Sequence, residues 1–279
     1  MLAVALAGLT AVPTSAADGE MCQGKPATIV QSDGDIKGTD GDDVIIGGRT
    51  TQIFAGKGED TVCVPGGFVN GGSDRDSVEV RGTEDADVVV VRDFEVADIA
   101  MGGGPDRVNV VAVGDDFRMD GLVDGGAGAD VLVGVNLWQD TFIDLADGVL
   151  TFRQGKDDVT LAGFENSYAR AAYRAEVVGD GGDNRLSAST WDCSAVVWGG
   201  AGDDVISAPY IDGRDPCTGL QGHGQRGDDV LLGSYSDDIL IGGPGRDRAV
   251  GGPADAELDL WDVCRAEVRR RCELRRPPY

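Results

Sequence analysis

The chain has 279 residues, with 49 acidic against 24 basic side chains and a net charge of −25. Such a surface repels nucleic acid and anionic lipid and attracts cations, while an apolar share of 41%, rich in Val, Ile and Leu, excludes wholesale disorder. Glycine, at 44 residues, is about twice its usual share of roughly 7% and follows no Gly-X-Y period, which excludes collagen and points to many tight turns between short strands.

From the N-terminus, residues 2–12 are apolar and Ser15, Ala16 and Ala17 offer small residues for cleavage. Residues 1–17 are therefore expected to be an export signal, although no basic residue precedes the apolar run. The stretch is too short to span a bilayer, and no later segment approaches about 18 apolar residues, so no membrane insertion is expected. Six cysteines fit an oxidising, extracellular compartment. Several pairings are open, and sequence proximity suggests Cys22–Cys63, Cys193–Cys217 and Cys264–Cys272. Zinc is disfavoured, since there is no Cys-x-x-Cys pair and a single His.

Internal similarity organises the rest. The unit is a nonapeptide, Gly-Gly-x-Gly-x-Asp-x-U-x, with U aliphatic. Residues 38–46 (GTDGDDVII) miss only the second Gly, and residues 125–133 (GGAGADVLV) and 199–207 (GGAGDDVIS) match every fixed position. Residues 224–232 (GQRGDDVLL), 233–241 (GSYSDDILI) and 242–250 (GGPGRDRAV) run without a gap. Weaker copies begin at Ala55, Gly71, Gly82, Met101 and Gly179, the last with Asn184 in place of Asp. The sixth-position residues Asp43, Asp60 and Asp76 lie 17 and 16 apart, Asp87 and Asp106 19 apart, and Asn184 and Asp204 20 apart. These spacings sit near two nonapeptides and predict an all-β fold, a parallel β-roll or β-solenoid of about 18 residues per rung, with two short strands and two turns in each.

Each position has a physical task. Glycine accepts a positive φ and lets the chain turn tightly. The eighth-position aliphatic points inward while its neighbours point outward. Equivalent Asp residues on successive rungs stack about 4.8 Å apart, where two carboxylates repel by about 3–4 kcal/mol at an effective dielectric near 20. A cation among them relieves this. Carboxylate and carbonyl oxygens without a soft ligand favour calcium.

These nonapeptides resemble the RTX, or hemolysin-type, calcium-binding repeat family. The resemblance implies a β-roll with several calcium ions between stacked turns, held by sixth-position carboxylates and early-position carbonyls. Carried onto this chain, the ligands are Asp43, Asp60, Asp76, Asp130, Asp204, Asp229, Asp238 and Asp247. Asp229 and Asp247 share an ion, and Asp204 reaches Asp229 only if residues 208–223 loop out. Asp238 meets Ala256 two windows on, so Asp255 or Glu257 must substitute.

Four segments are expected: the signal, a degenerate repeat solenoid over 18–178 with a strand-rich insertion, a second repeat solenoid over 179–260, and an Arg-rich, disulfide-closed cap over 261–279. Residues 134–178 read as longer rungs or an inserted hairpin, with a short helix over 167–176. His223 is expected in an exposed loop, and Trp138, Trp191, Trp198 and Trp261 in core or edge packing or a sugar platform. No catalytic constellation emerges. The leading expectation is a secreted calcium-binding structural or interaction module. The alternatives are a solenoid enzyme on acidic polysaccharide, using Asp140, Asp144, Asp147 or Lys156, and an adhesin with a cell-envelope partner.

Overall fold

Short alternating runs bounded by Gly and Asp become short strands, and stacking is the only way one rung can cover its apolar residues. The computed structural model describes residues 14–15, 20–49, 51–112, 119–152, 158–191, 194–208, 219–234, 236–252, 262–270 and 272. Most of the expected export signal, Lys156, Trp261, and the Cys193–Cys217 pair fall outside them. The described chain is a parallel β-solenoid of about 10 turns, without a helix. Successive strands alternate between a 15-stranded and a 12-stranded sheet.

The rungs vary in length. Equivalent residues that hydrogen-bond across neighbouring rungs are 16 to 20 apart in the tighter coils, 24 or 25 in the wider ones and 35 across one insertion. Strand register is kept across these differences in length.

The eighth-position aliphatics line the inside of both sheets: in the larger one Ile45 pairs with Val62 and Val62 with Val78. In the smaller one Val108 pairs with Leu132, Leu186 with Ile206, Ile206 with Leu231, and Leu231 with Ala249. All are buried, and a fully buried Val, Leu or Ile contributes about 1.5–3 kcal/mol.

The insertion lies within residues 134–178. Thr141–Asp144 pairs antiparallel with Val149–Thr151, which pairs antiparallel with Asp158–Ala162. The larger sheet thereby gains two strands that the smaller one lacks. The helix expected over 167–176 is not formed; Asn166–Ala171 and Arg174–Val178 are strands. Ser167, Ala169 and Ala171 in the first strand, and Ala175 and Val177 in the second, are buried at alternate positions, so pairing with the adjacent rungs overrides the helix preference of an Ala-rich run.

His223 also departs from expectation. It lies in the strand Leu220–Arg226 and stacks on Trp198 with ring centroids 4.0 Å apart, while Trp198 Nε1 donates to Glu176. Cys22–Cys63 and Cys264–Cys272 are disulfides. The tail strands Val263–Arg265 and Val268–Arg270 form the last described member of each sheet.

Candidate metal centre

The turn is built around its sixth residue. A Cβ added to Gly199 would stand 2.3 Å from Asp204 Oδ2 and 2.4 Å from the Gly224 carbonyl oxygen of the next rung. Gly224 and Gly242 relate in the same way to Asp229 Oδ2, at 2.2 Å, and Asp247 Oδ2, at 2.1 Å. The first glycine therefore leaves room for the carboxylate, and at Gly199 a carboxylate and a carbonyl oxygen flank the same small space.

Hydrogen bonds string these turns into columns. In each, the backbone N–H of one sixth-position residue donates to the carboxylate of the next rung. Asp43 donates to Asp60 and Asp60 to Asp76. Asp87 donates to Asp106, Asp106 to Asp130, and Asp130 to Glu165. Asn184 donates to Asp204, Asp204 to Asp229, Asp229 to Asp247, and Asp247 to Glu267. Asp238 donates to Asp262. These bonds measure 2.7–3.1 Å.

The columns occupy two edges. Asp43, Asp60, Asp76, Asp238 and Asp262 precede strands of the larger sheet, whereas the residues from Asp87 to Glu267 precede strands of the smaller one. Asp204 does reach Asp229, and Asp238 donates to Asp262, 24 residues on, while Asp255 and Glu257 lie outside the described residues.

The second carboxylate oxygen carries the chemistry. Asp60, Asp76, Asp106, Asp130, Asp204, Asp229 and Asp247 are at most 1% exposed, yet Oδ2 of each is buried without a hydrogen-bond donor. A buried carboxylate oxygen left unpaired is costly. Burial, opposed by the Asn184 N–H and reinforced by Asp229 and nearby carboxylates, pushes the Asp204 carboxyl up to about 7. Burial likewise pushes Asp76 to about 7 and Asp60 and Asp238 to about 6. It raises Asp106, Asp130, Asp229 and Asp247 as well. Such oxygens call for a proton or a cation. Among the described residues no three His, Cys, Asp or Glu side chains converge on one point. Paired carboxylates with carbonyl oxygens fit a hard cation satisfied by mixed oxygen ligands, which is calcium's chemistry.

Asp43, Asp87 and Asp238 differ. Asp43 Oδ2 accepts from the Thr39 N–H and hydroxyl, and Asp87 Oδ2 from those of Thr83. Ser234 N–H donates to Asp238 Oδ2 and its hydroxyl to Oδ1. The Arg49 guanidinium lies 2.7 Å from Asp87 Oδ1.

Asp262 and Glu267 were missed in sequence because their windows hold no glycine, and Glu165 because its window keeps only Gly163 and bears Glu in place of Asp. Only the rung lengths, once known, bring them into register. Asp87 and Asp106 were legible as weak copies, but not as members of one column with Asp130. Of the carboxylates considered for catalysis, Asp140 accepts the Arg174 N–H, 34 residues on, and Asp144 the Asp147 N–H within its own turn.

The RTX calcium-binding nonapeptide repeat matches the chain in four copies, over residues 32–50, 196–208 and 223–255. This chain carries RTX repeats. The matched segments include Asp43, Asp204, Asp229, Asp238 and Asp247, each at the turn position described above. A search of curated proteins finds no match. RTX repeats on a β-solenoid support a calcium-binding repeat protein, and columns of the same kind extend outside the matched segments to Asp60, Asp76, Asp106 and Asp130.

Proposed function

We propose that this is a secreted module whose carboxylate columns hold calcium between stacked turns, and that calcium is what makes the solenoid stable outside the cell. The row of buried Oδ2 atoms without donors carries the reading. Repulsion along each column opposes folding in the absence of a cation, and an ion bound only by the folded chain adds RT ln(1 + [L]/Kd) to stability. Extracellular modules bind calcium at about 10⁻⁴–10⁻³ M, a level found outside cells, and the disulfides suit the same compartment. The test is circular dichroism and thermal melting with calcium and with a chelator. The chelator lowers strand content or melting temperature; identical melts in both conditions overturn the reading.

A role in interaction suits RTX repeats, which are mainly structural and binding elements. A carbohydrate partner has one observation in its favour. Trp138, Tyr173 and Trp191 are 56%, 57% and 56% exposed. They stand just past Asn136, Ala171 and Thr190, which are aligned on successive rungs. Three solvent-facing rings in a row offer a stacking surface. Binding of a neutral glycan panel, lost on replacing all three by Ala, supports this partner; no binding to any member removes it.

A further inference from the structure

The second residue of each turn divides the turns into two kinds. In one kind it has a positive φ: Gly56 (120°), Gly72 (107°), Gly102 (94°), Gly126 (89°), Gly200 (107°), Gln225 (77°) and Gly243 (117°). The carboxylates of these turns are Asp60, Asp76, Asp106, Asp130, Asp204, Asp229 and Asp247, the same seven whose Oδ2 lacks a donor. In the other kind the second residue is Thr39, Thr83, Asp180 or Ser234, none with a positive φ. There its N–H turns onto the side chain of the sixth residue, at Asp43, Asp87, Asn184 and Asp238. In the Thr and Ser turns the hydroxyl follows. At Asn184 the side-chain amide donates in turn to Asp180 and to the Glu165 carbonyl.

Position adds a second regularity. Each of the four self-satisfied turns begins a column: Asp43 precedes Asp60, Asp87 precedes Asp106, Asn184 precedes Asp204, and Asp238 precedes Asp262. Among the described residues, Asp43, Asp87 and Asn184 stand where no sixth-position N–H of a preceding rung donates into the turn, whereas Asp238 Oδ1 still accepts the Leu220 N–H. Gln225 makes the conformational point most sharply, since a non-glycine residue in the left-handed region is uncommon and is held there by its surroundings.

We propose that the second residue of each turn selects whether its carboxylate takes calcium. A left-handed second residue opens the turn and leaves Oδ2 for the ion, whereas Thr, Ser or Asp closes it with donors of its own and marks where a column of ions ends. This rests on the calcium reading. It narrows that reading, because Asp43 and Asp238 bear the repeat motif and yet stand in closed turns.

The test counts calcium bound per chain by equilibrium dialysis on the full protein, with strand content followed by circular dichroism. Ser234→Gly is expected to add one ion, and the gain is lost in the S234G/D238N double variant. Gln225→Thr, the change in the opposite direction, is expected to remove the two ions that flank Asp229. Equal counts in wild type and folded S234G overturn the proposal while leaving the calcium reading intact. If S234G does not fold, an unchanged count in Q225T has the same force. No calcium on the wild type overturns both.

Discussion

Asp229→Asn reverses its effect on stability with calcium. Asp229 sits in the middle of a column, with Oδ1 accepting the Asp204 N–H and its own N–H donating to Asp247. Asn keeps the Oδ1 acceptor and removes the charge. Each neighbour about 4.8 Å away contributes repulsion of about 3–4 kcal/mol when both groups are fully charged. Burial already favours the proton on Asp229, and the new amide needs an acceptor at a cost of about 1–3 kcal/mol if it finds none. The Asn184 amide, bonded to Asp180 and Glu165, shows how such an acceptor is found in the same column. A net gain of about 1–2 kcal/mol is expected for the metal-free protein at pH 8. With calcium at 100 times its Kd, each ion adds about 2.7 kcal/mol; losing the two that flank Asp229 costs about 5 kcal/mol. Urea unfolding of wild type and D229N, with chelator and with calcium, reads both signs. The exposed neighbour Asp228 is the control, since Asn retains its acceptor for the Arg246 N–H. A D229N variant destabilised equally in both conditions refutes the reasoning.

Without metal, stability falls as pH rises from about 4 to 8. The folded carboxyls at Asp76 and Asp204 titrate near 7, so over that window the folded chain holds protons the unfolded chain has released. Urea midpoints at pH 5 and pH 8 measure the slope, which flattens with calcium because the metal displaces those protons. Arg49→Gln leaves Asp87 Oδ1 without its 2.7 Å partner; a loss of about 1–3 kcal/mol is expected, below the ~3–5 kcal/mol of a fully buried pair because Arg49 is partly exposed. An R49Q/D87N double variant recovers most of that loss in the same melts. Gly224→Ala places a Cβ 2.2 Å from Asp229 Oδ2 and lowers both stability and calcium uptake, whereas Gly41→Ala, with nothing within 4 Å, changes neither.

The fold was legible because the motif repeats: glycine at the first position, Asp at the sixth and an inward aliphatic at the eighth dictate a coil. What escaped was the phase of the coil. Asp76 and Asp87 are 11 residues apart, about half a rung, so the column leaves one edge and resumes on the other. Rung length was equally hidden, because the inserted strands Thr141–Asp144 and Val149–Thr151 alter spacing while adding inward residues of their own, Ile143 and Leu150; Glu165 and Asp262 could not be placed until the longer rungs were seen. The helix expectation at 167–176 failed where Ala169, Ala171 and Ala175 pack inward as small strand residues. The second-position rule was present in the sequence as Thr39, Thr83, Asp180 and Ser234, but its meaning depends on where an N–H points, which spacing alone does not reveal.

Anomalous diffraction from crystals of the calcium-loaded protein tests metal bridging most directly. Calcium in the columns predicts peaks between Asp204 and Asp229 and between Asp229 and Asp247, each ringed by carboxylate and turn carbonyl oxygens. Turns closed around water or protonated carboxylates, with no peak along either edge at millimolar calcium, contradict it.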